Sequence, residues 1–169
     1  MSLLIRNGEI VTAGERYIAD ILIEGETITH TGVNLEAPPD AEVIDATGKY
    51  VFPGFIDPHV HIYLPFMGTF SKDTYETASK AALVGGTTTI FDMCCPSRAD
   101  EPMAGFETWN AQSEGKSACD YSYHMGVTKF DANSEAQLRE IVASGFQSFT
   151  IFLAYKGAFG IADSELYHV

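Results

Sequence analysis

Two histidines separated by one residue are the first candidates for chemistry in this 169-residue sequence. His59 and His61 lie in the segment Pro-Gly-Phe-Ile-Asp-Pro-His-Val-His, residues 53–61. In an extended strand, side chains two residues apart point to the same side, so both imidazoles can reach one cation. Neutral imidazole is a common ligand of Zn²⁺ and related divalent ions. The spacing therefore predicts a divalent-metal site, and the alternative is a pair of strand histidines that only form hydrogen bonds.

The chain around this motif has two regions that differ in their predicted secondary structure. Residues 1–53 contain short β-branched segments separated by turn signals such as Asn7-Gly8, which predicts strands and no helix. Beyond them, we predict strands at 55–62, 87–92, 120–127 and 147–155. These strands alternate with predicted helices at 72–84, 106–114 and 135–143, the last opened by a capping box of Ser134 and Gln137, and residues 163–168 begin a fourth helix. The alternation is typical of parallel βα units, so the sequence predicts an α/β fold with about four such units.

Four βα units are half of a (β/α)₈ TIM barrel. A complete barrel needs roughly 200–250 residues, so this chain cannot contain one. Open edges of a half-barrel invite aggregation, and we therefore expect a longer parent polypeptide or a second copy to complete the closure. The predicted domains are residues 1–53, the strands of a small β-sandwich domain, and residues 54–169, the first half of an incomplete barrel.

Composition excludes several classes of partner. The sequence has 10 Lys and Arg against 23 Asp and Glu, a net charge of −13, which disfavours nucleic acid and anionic membrane surfaces. No apolar run approaches the ~18 residues of a membrane span. The three cysteines, Cys94, Cys95 and Cys119, are too few and too close together for a disulfide framework. We expect a soluble globular protein of the reducing cytoplasm, and the composition says nothing about small neutral substrates.

Several blocks of sequence together resemble a known family. They are residues 4–8 (Leu-Ile-Arg-Asn-Gly), 43–48, the histidine segment, 64–69, 85–89 (Gly-Gly-Thr-Thr-Thr) and 154–156 (Ala-Tyr-Lys). In these blocks the chain resembles the N-terminal portion of the amidohydrolase superfamily, in its dihydropyrimidinase and D-hydantoinase branch. The resemblance covers essentially the whole chain, and the blocks at 64–69 and at 154–156, which contains Tyr155, indicate the branch.

The resemblance implies a homotetrameric hydrolase of cyclic amides, dihydropyrimidines or hydantoins, with two bridged metal ions that are usually zinc. A metal-bound hydroxide attacks the ring carbonyl in such enzymes. His59 and His61 match two metal ligands, and Tyr155 matches a tyrosine that donates a hydrogen bond to the developing oxyanion. The loop that lines the substrate's exocyclic group is matched by Leu64, Phe66 and Met67.

One position departs from the family pattern. Thr150 lies five residues before Tyr155, where the family has a carboxylated lysine that bridges both metals. A neutral hydroxyl cannot bridge two cations, so the number of metal ions bound here, one or two, is left open. We expect Lys156 to be a residue of the following loop and not a substitute for the bridging lysine. The alternative function is that of the non-catalytic dihydropyrimidinase-related proteins, which also lack this lysine. Because the family's remaining ligands are expected beyond Val169, we predict that these residues alone do not turn over substrate.

Other polar residues have plainer interpretations. We expect His124, on the third barrel strand, to be structural. Asp57 could support a metal-binding histidine or cap the backbone, with neither favoured. Asp92 ends the second barrel strand, where barrel sites open, but nothing beside it in the sequence indicates catalysis. The adjacent thiols of Cys94 and Cys95 are predicted to be packed or reactive rather than zinc-binding.

Overall fold

The computed structural model of the chain describes residues 1–66 and 68–169, so the predicted loop residue Met67 lies outside the described residues. The chain divides into two units, Met1–Pro53 and Gly54–Val169. Each unit is built on its own β-sheet.

The long first strand, β1 (Ser2–Val11), organises the first unit. It pairs antiparallel with β2 (Arg16–Glu24), which pairs antiparallel with β3 (Thr27–Gly32). On its other edge β1 pairs parallel with β4 (Glu42–Asp45) and β5 (Tyr50–Val51). The result is one five-stranded mixed sheet. The second layer of a sandwich is not formed by the described residues, and that assignment stays a prediction.

The turn predicted at Asn7-Gly8 is wrong, because β1 continues through it as a bulge. The register with β2 shifts between Ile5 and Gly8, and Asn7 has a φ of 57°. Asparagine tolerates this left-handed conformation. The amide of Asn7 donates to the carboxylate of Asp20 (2.8 Å) instead of to the ladder. The two short strands predicted here are therefore one.

The second unit contains the βα alternation that the sequence predicts. The strands β6 (Phe55–Val60), β9 (Thr87–Cys94), β10 (Asp120–Gly126) and β11 (Ser148–Thr150) form a parallel sheet in the order β11-β10-β9-β6. The helices are α1 (Tyr75–Val84), α2 (Pro102–Ser113), α3 (Ala132–Ala143) and the short α4 (Asp163–Leu166). A small hairpin of β7 (Pro65–Phe66) and β8 (Thr69–Phe70), which the sequence did not predict, follows β6. The α/β class with parallel pairing is confirmed.

The third helix begins earlier than predicted, because a different residue caps it. Asp131 is the N-cap, and its carboxylate accepts from the amides of Asn133 and Ser134 (3.0 and 2.8 Å). Ser134 completes the capping box from inside the helix by accepting from the amide of Asp131 (2.7 Å). The predicted box of Ser134 with Gln137 is wrong, since a carboxylate three residues upstream supplies a stronger acceptor for the free amides.

The fourth strand is interrupted rather than continuous over residues 147–155. After β11 ends at Thr150, the chain resumes as β12 (Phe152–Lys156). It then turns back through left-handed conformations at Tyr155 (φ 57°) and Gly157 (φ 88°). This turn brings Gly160 beside Phe152 and Lys156, so the end of the strand forms a loop closed on itself.

The core of the second unit lies between the parallel sheet and its helices. Its buried members are Ile62, Tyr75, Ile90, Cys94, Phe106, Trp109, Tyr123, Met125, Val127, Leu138, Ile141 and Ile161. Cys94 and its neighbour Cys95 are free, buried thiols, and burial raises the pKa of Cys95 to about 12. They therefore act as packed side chains. Among the described residues no helix has the length and apolarity to cross a bilayer.

Candidate active site

The imidazoles of His59 and His61 lie side by side at the end of β6. Their Nε2 atoms are 3.2 Å apart, and the ring centroids are 5.0 Å apart with the planes at 74°. Two metal–nitrogen bonds of about 2.0–2.1 Å that span this separation meet at about 100°, close to the tetrahedral angle. In the absence of a cation, one ring can donate its Nε2 proton to the other. The pair fits two ligands of one ion.

A bulge in β6 aims these two side chains. The pairing with β9 changes from Asp57 opposite Ile90 to Val60 opposite Asp92, so β6 carries one extra residue. Pro58 lies in this interval and has no amide proton to give to the ladder. The amide of His59 donates instead to the carboxylate of Asp57 (3.1 Å). Of the two interpretations of Asp57, the structure therefore shows the backbone contact.

The electrostatic setting favours neutral imidazole at His61. Burial lowers the pKa of His61, and the neighbouring charge of His59 lowers it further. The carboxylate of Asp92 acts in the opposite direction and does not cancel the shift. Neutral imidazole is the form that binds a metal ion.

Asp92 is more deeply involved in the site than its sequence position suggested. Its side chain is fully buried. Oδ1 accepts from the amides of Ile62 (3.0 Å) and Met93 (2.8 Å), and Oδ2 accepts from the hydroxyl of Tyr75 (2.5 Å). Burial raises the pKa of Asp92, while these hydrogen bonds oppose the rise. Sequence reasoning missed this network because Tyr75, on α1, has no motif that connects it to the strand end.

The predicted site residues meet in one cavity of about 530 Å³. It is lined by His59, His61, Leu64, Phe66, Thr150 and Tyr155, which are all the predicted residues within the described part of the chain. Its other walls are mainly apolar and come from side chains that the sequence did not single out, namely Phe70, Met93, Cys95, Phe152 and Phe159. An aromatic-rich, largely apolar cavity with a polar end suits a small molecule.

Tyr155 lies at the turn that closes β12. Its φ of 57° is unusual for a residue with a side chain. The ring is 55% exposed and meets Phe66 edge to face, with centroids 5.7 Å apart. The next residue, Lys156, donates to the carbonyl of Ile161 (2.5 Å) and pairs with Asp163 (3.4 Å). The expectation of a loop residue is wrong, because Lys156 is the last residue of β12. Its ammonium group is directed to Ile161 and Asp163, so it does not substitute for the missing bridge.

Thr150 lies opposite the histidines as the last residue of β11. It is paired with Gly126 of β10, and its carbonyl accepts from the amide of Val127 (2.9 Å). No group of three or more His, Cys, Asp or Glu side chains is placed to hold a metal within residues 1–66 and 68–169. His59 and His61 thus fit a divalent ion as two of its ligands, and further ligands would have to come from other residues.

Comparisons with known proteins identify the family to which the chain is similar. The sequence profile of the Amidohydrolase family matches residues 42–110. The D-hydantoinase of Geobacillus stearothermophilus is 44% identical over 168 residues, which are 99% of this chain and 36% of that protein. The dihydropyrimidinase of Rattus norvegicus is 37% identical over 170 residues, covering 98% of this chain and 33% of that protein.

A solved structure of D-hydantoinase (dihydropyrimidinase) from Thermus sp. superimposes with a TM-score of 0.95 at 67% identity, covering 98% of this chain and 36% of that one. The chain therefore spans about a third of the length of the relatives it matches.

Proposed function

Because this chain belongs to the amidohydrolase family, in which it matches the N-terminal portion of the D-hydantoinase and dihydropyrimidinase branch, we propose that it is part of a metal-dependent hydrolase of cyclic amides. The substrates would be hydantoins or dihydropyrimidines. One observation carries the proposal: the paired imidazoles of His59 and His61 share a cavity of about 530 Å³ with the phenol of Tyr155. A bound cation and an oxyanion donor together can support hydrolysis of an unactivated amide.

His59 and His61 would hold a divalent ion, for which zinc is the natural candidate given two nitrogen donors. Such an ion, when bound, polarises a carbonyl and lowers the pKa of a water molecule. Tyr155 would donate a hydrogen bond from its hydroxyl to the carbonyl oxygen of the attacked amide as negative charge develops there. The apolar walls at Leu64 and Phe66 would exclude water and contact the substituent that projects from the ring.

We further infer the setting of this site in the whole protein. Four consecutive βα units on one parallel sheet support a (β/α)₈ barrel of which residues 54–169 form the first half. The mixed sheet of residues 1–53 would belong to a β-sandwich. Buried free thiols at Cys94 and Cys95 suit the reducing cytoplasm. A homotetramer is proposed from the family resemblance alone.

The second candidate is a non-catalytic relative that keeps the fold for interactions. Thr150 favours it, because this residue lies on the cavity wall without a charge that could bridge two ions. Both histidines favour the enzyme, since a scaffold has no need for two imidazoles whose Nε2 atoms are 3.2 Å apart.

The test assembles the chain with the part of a relative that it lacks. The 169-residue chain is co-expressed with the remaining carboxyl-terminal part of the Geobacillus stearothermophilus D-hydantoinase, loaded with Zn²⁺, and assayed for opening of hydantoin and dihydrouracil. A Thr150→Lys chain is the positive control for assembly, and His59→Asn is the negative control. Ring opening by the parent chain that disappears with His59→Asn is expected. Activity of Thr150→Lys with none in the parent would favour the non-catalytic relative.

A further inference from the structure

We propose that Asp92 and His124 are positioning residues, which hold the two ends of the segment at residues 58–62 and thereby fix the directions of the His59 and His61 imidazoles. Neither touches the reacting atoms. The metal-binding consequence rests on the proposed function, whereas the geometric consequence does not depend on it.

The first end of the segment is held from β10. Nε2 of His124 lies 2.8 Å from the carbonyl oxygen of Pro58. A carbonyl can only accept, so this nitrogen carries the proton. In a neutral ring Nδ1 is then an acceptor, and the hydroxyl of Ser148 donates to it at 2.5 Å. The ring also stacks on Phe91 with centroids 5.2 Å apart. Ser148 and Phe91 therefore orient the His124 ring, and the contact with Pro58 assigns its tautomer.

The second end is held from β9. Oδ1 of Asp92 accepts from the amide of Ile62, the residue after His61, at 3.0 Å. The other carboxylate oxygen is fixed by the hydroxyl of Tyr75 at 2.5 Å, and Tyr75 is itself fully buried. The groups that donate to the Asp92 carboxylate, among the described residues, are thus one phenol and two backbone amides. A carboxylate is costly to bury in this way, and an apolar residue would pack at lower cost.

The segment requires both contacts because the pairing of β6 with β9 is interrupted along it. The bulge shifts the register between Asp57 and Val60, and Pro58 cannot donate to the ladder. The amide of Ile62 is buried and needs a partner, which Asp92 supplies. The carbonyl of Pro58 lies at an exposed position and is held by His124. A change in the main-chain torsions at either histidine would displace Pro58 or Ile62 and break one contact. The arrangement sets the direction of each ring through the main chain instead of through a hydrogen bond to the ring.

The test uses paired variants of the whole chain. His124→Phe keeps the stacked ring but removes both hydrogen bonds, while His124→Gln can still donate to Pro58. Asp92→Ala removes the acceptor for Ile62, and Asp92→Asn retains one. Ser113→Ala, which removes a buried hydrogen bond to Tyr123 elsewhere in the unit, is the control for general loss of stability. Ser148→Ala removes the hydroxyl that helps to orient the His124 ring and leaves the ring itself in place. If His124→Phe does not fold, weakening of the ring-to-ring contact in Ser148→Ala supports the proposal, and an unchanged contact overturns it.

Two readouts separate positioning from stability. The first is the nuclear Overhauser contact between the His59 and His61 rings in metal-free protein. The second is the dissociation constant for Co²⁺. We expect His124→Phe and Asp92→Ala to lose the ring-to-ring contact and to weaken Co²⁺ binding by about tenfold or more, the scale seen when groups that orient metal ligands are removed. The Gln and Asn variants should restore most of both, and Ser113→Ala should change neither.

Unchanged ring contacts in His124→Phe and Asp92→Ala, at any Co²⁺ affinity, would overturn the proposal. Loss of affinity in the Ser113→Ala control to the same degree would also overturn it. If the parent chain binds no Co²⁺ but the variants lose the ring contact, positioning holds and the metal site of the proposed function fails.

Discussion

Arg98 and Glu165 form a two-pronged ion pair, in which Nη2 of the guanidinium lies 2.9 Å from Oε1 and 3.1 Å from Oε2 of the carboxylate. The other guanidinium arm, Nη1, donates to the carbonyls of Thr128 (2.6 Å) and Gly160 (3.0 Å). These contacts join the loops that follow β9, β10 and β12, at the edge of the sheet where the cavity opens. One ion pair thus ties the turn that carries Tyr155 to the rest of the unit.

This pair predicts an acid-sensitive component of stability. The hydrogen bond from Arg98, followed by those from the amides of Ala162 and Phe130, lowers the pKa of Glu165. A carboxyl whose pKa is lower in the folded state stabilises the fold fully above its unfolded pKa, about 4.3. That contribution is lost as the pH falls through the lowered folded pKa. Urea midpoints should therefore drop below about pH 4.3, and Glu165→Gln should flatten the drop.

The matched control for that measurement is Glu107→Gln, at an exposed position of α2. With this variant, the urea midpoint should fall with decreasing pH as steeply as in the parent chain. If the urea midpoint of Glu165→Gln falls just as steeply, the ion pair does not contribute to the acid sensitivity of stability.

Removing Arg98 should loosen the Tyr155 turn. Arg98→Met takes away the partners of Gly160 and Glu165, and a loss of even 1–2 kcal/mol in local stability changes the open population by about 5–30-fold. Trypsin cleavage after Lys156 should accelerate by about that factor, measured by mass spectrometry under native conditions. Cleavage after the exposed Lys80 in the same digest is the internal control. Equal acceleration at both sites would indicate global unfolding instead.

Tyr75→Phe should destabilise the second unit without changing its shape. The variant leaves one oxygen of a fully buried carboxylate without its hydroxyl donor. The cost of such an unpaired group is about 1–3 kcal/mol. Urea unfolding followed by circular dichroism measures it. Tyr121→Phe, which alters a half-buried ring packed against Tyr75, is the control and should cost less. An unchanged free energy of unfolding in Tyr75→Phe would contradict this account of the hydrogen bond.

The sequence predicted the imidazole pair but not what holds it. Alternation of side chains along a strand is a local rule, so the shared direction of His59 and His61 could be predicted from their spacing alone. The residues that face Pro58 and Ile62, namely His124 and Asp92, come from strands 30 or more positions away. Such contacts depend on strand order and register, which are not encoded in any local pattern.

Local rules failed where two of them competed. Asn7-Gly8 is a strong turn signal, yet β1 absorbs it as a bulge because its partner strand offers the carboxylate of Asp20. The α/β alternation after residue 54 was predictable, since each helix and strand has its own periodicity. The hairpin at Pro65–Phe66 and Thr69–Phe70 was not, because two-residue strands are too short to show a period.

Tyr155→Phe should separate catalysis from folding. The ring is 55% exposed, so removal of its hydroxyl should leave the urea midpoint unchanged. If the phenol stabilises an oxyanion, ring opening by the assembled protein should fall by about 10²–10³-fold in kcat with a smaller effect on KM. The steady-state assay on hydantoin measures both constants. A drop confined to KM would assign Tyr155 to substrate binding.

Thr150→Lys should raise the capacity of the site for metal. Thr150 lines the same cavity as His59 and His61, and a lysine there could be carboxylated by CO₂ to give an anion with one oxygen for each of two cations. A neutral hydroxyl offers no such pair. Elemental analysis of the assembled protein should therefore show metal content rising toward two ions per chain in bicarbonate buffer.

The control for this last change is Thr150→Val, which keeps the volume and branching of threonine without its oxygen. It should bind no more metal than the parent, and the gain in Thr150→Lys should disappear when CO₂ is removed. Two ions per chain with Thr150 already in place would contradict this account, because the charge that bridges them would then have to come from a different side chain.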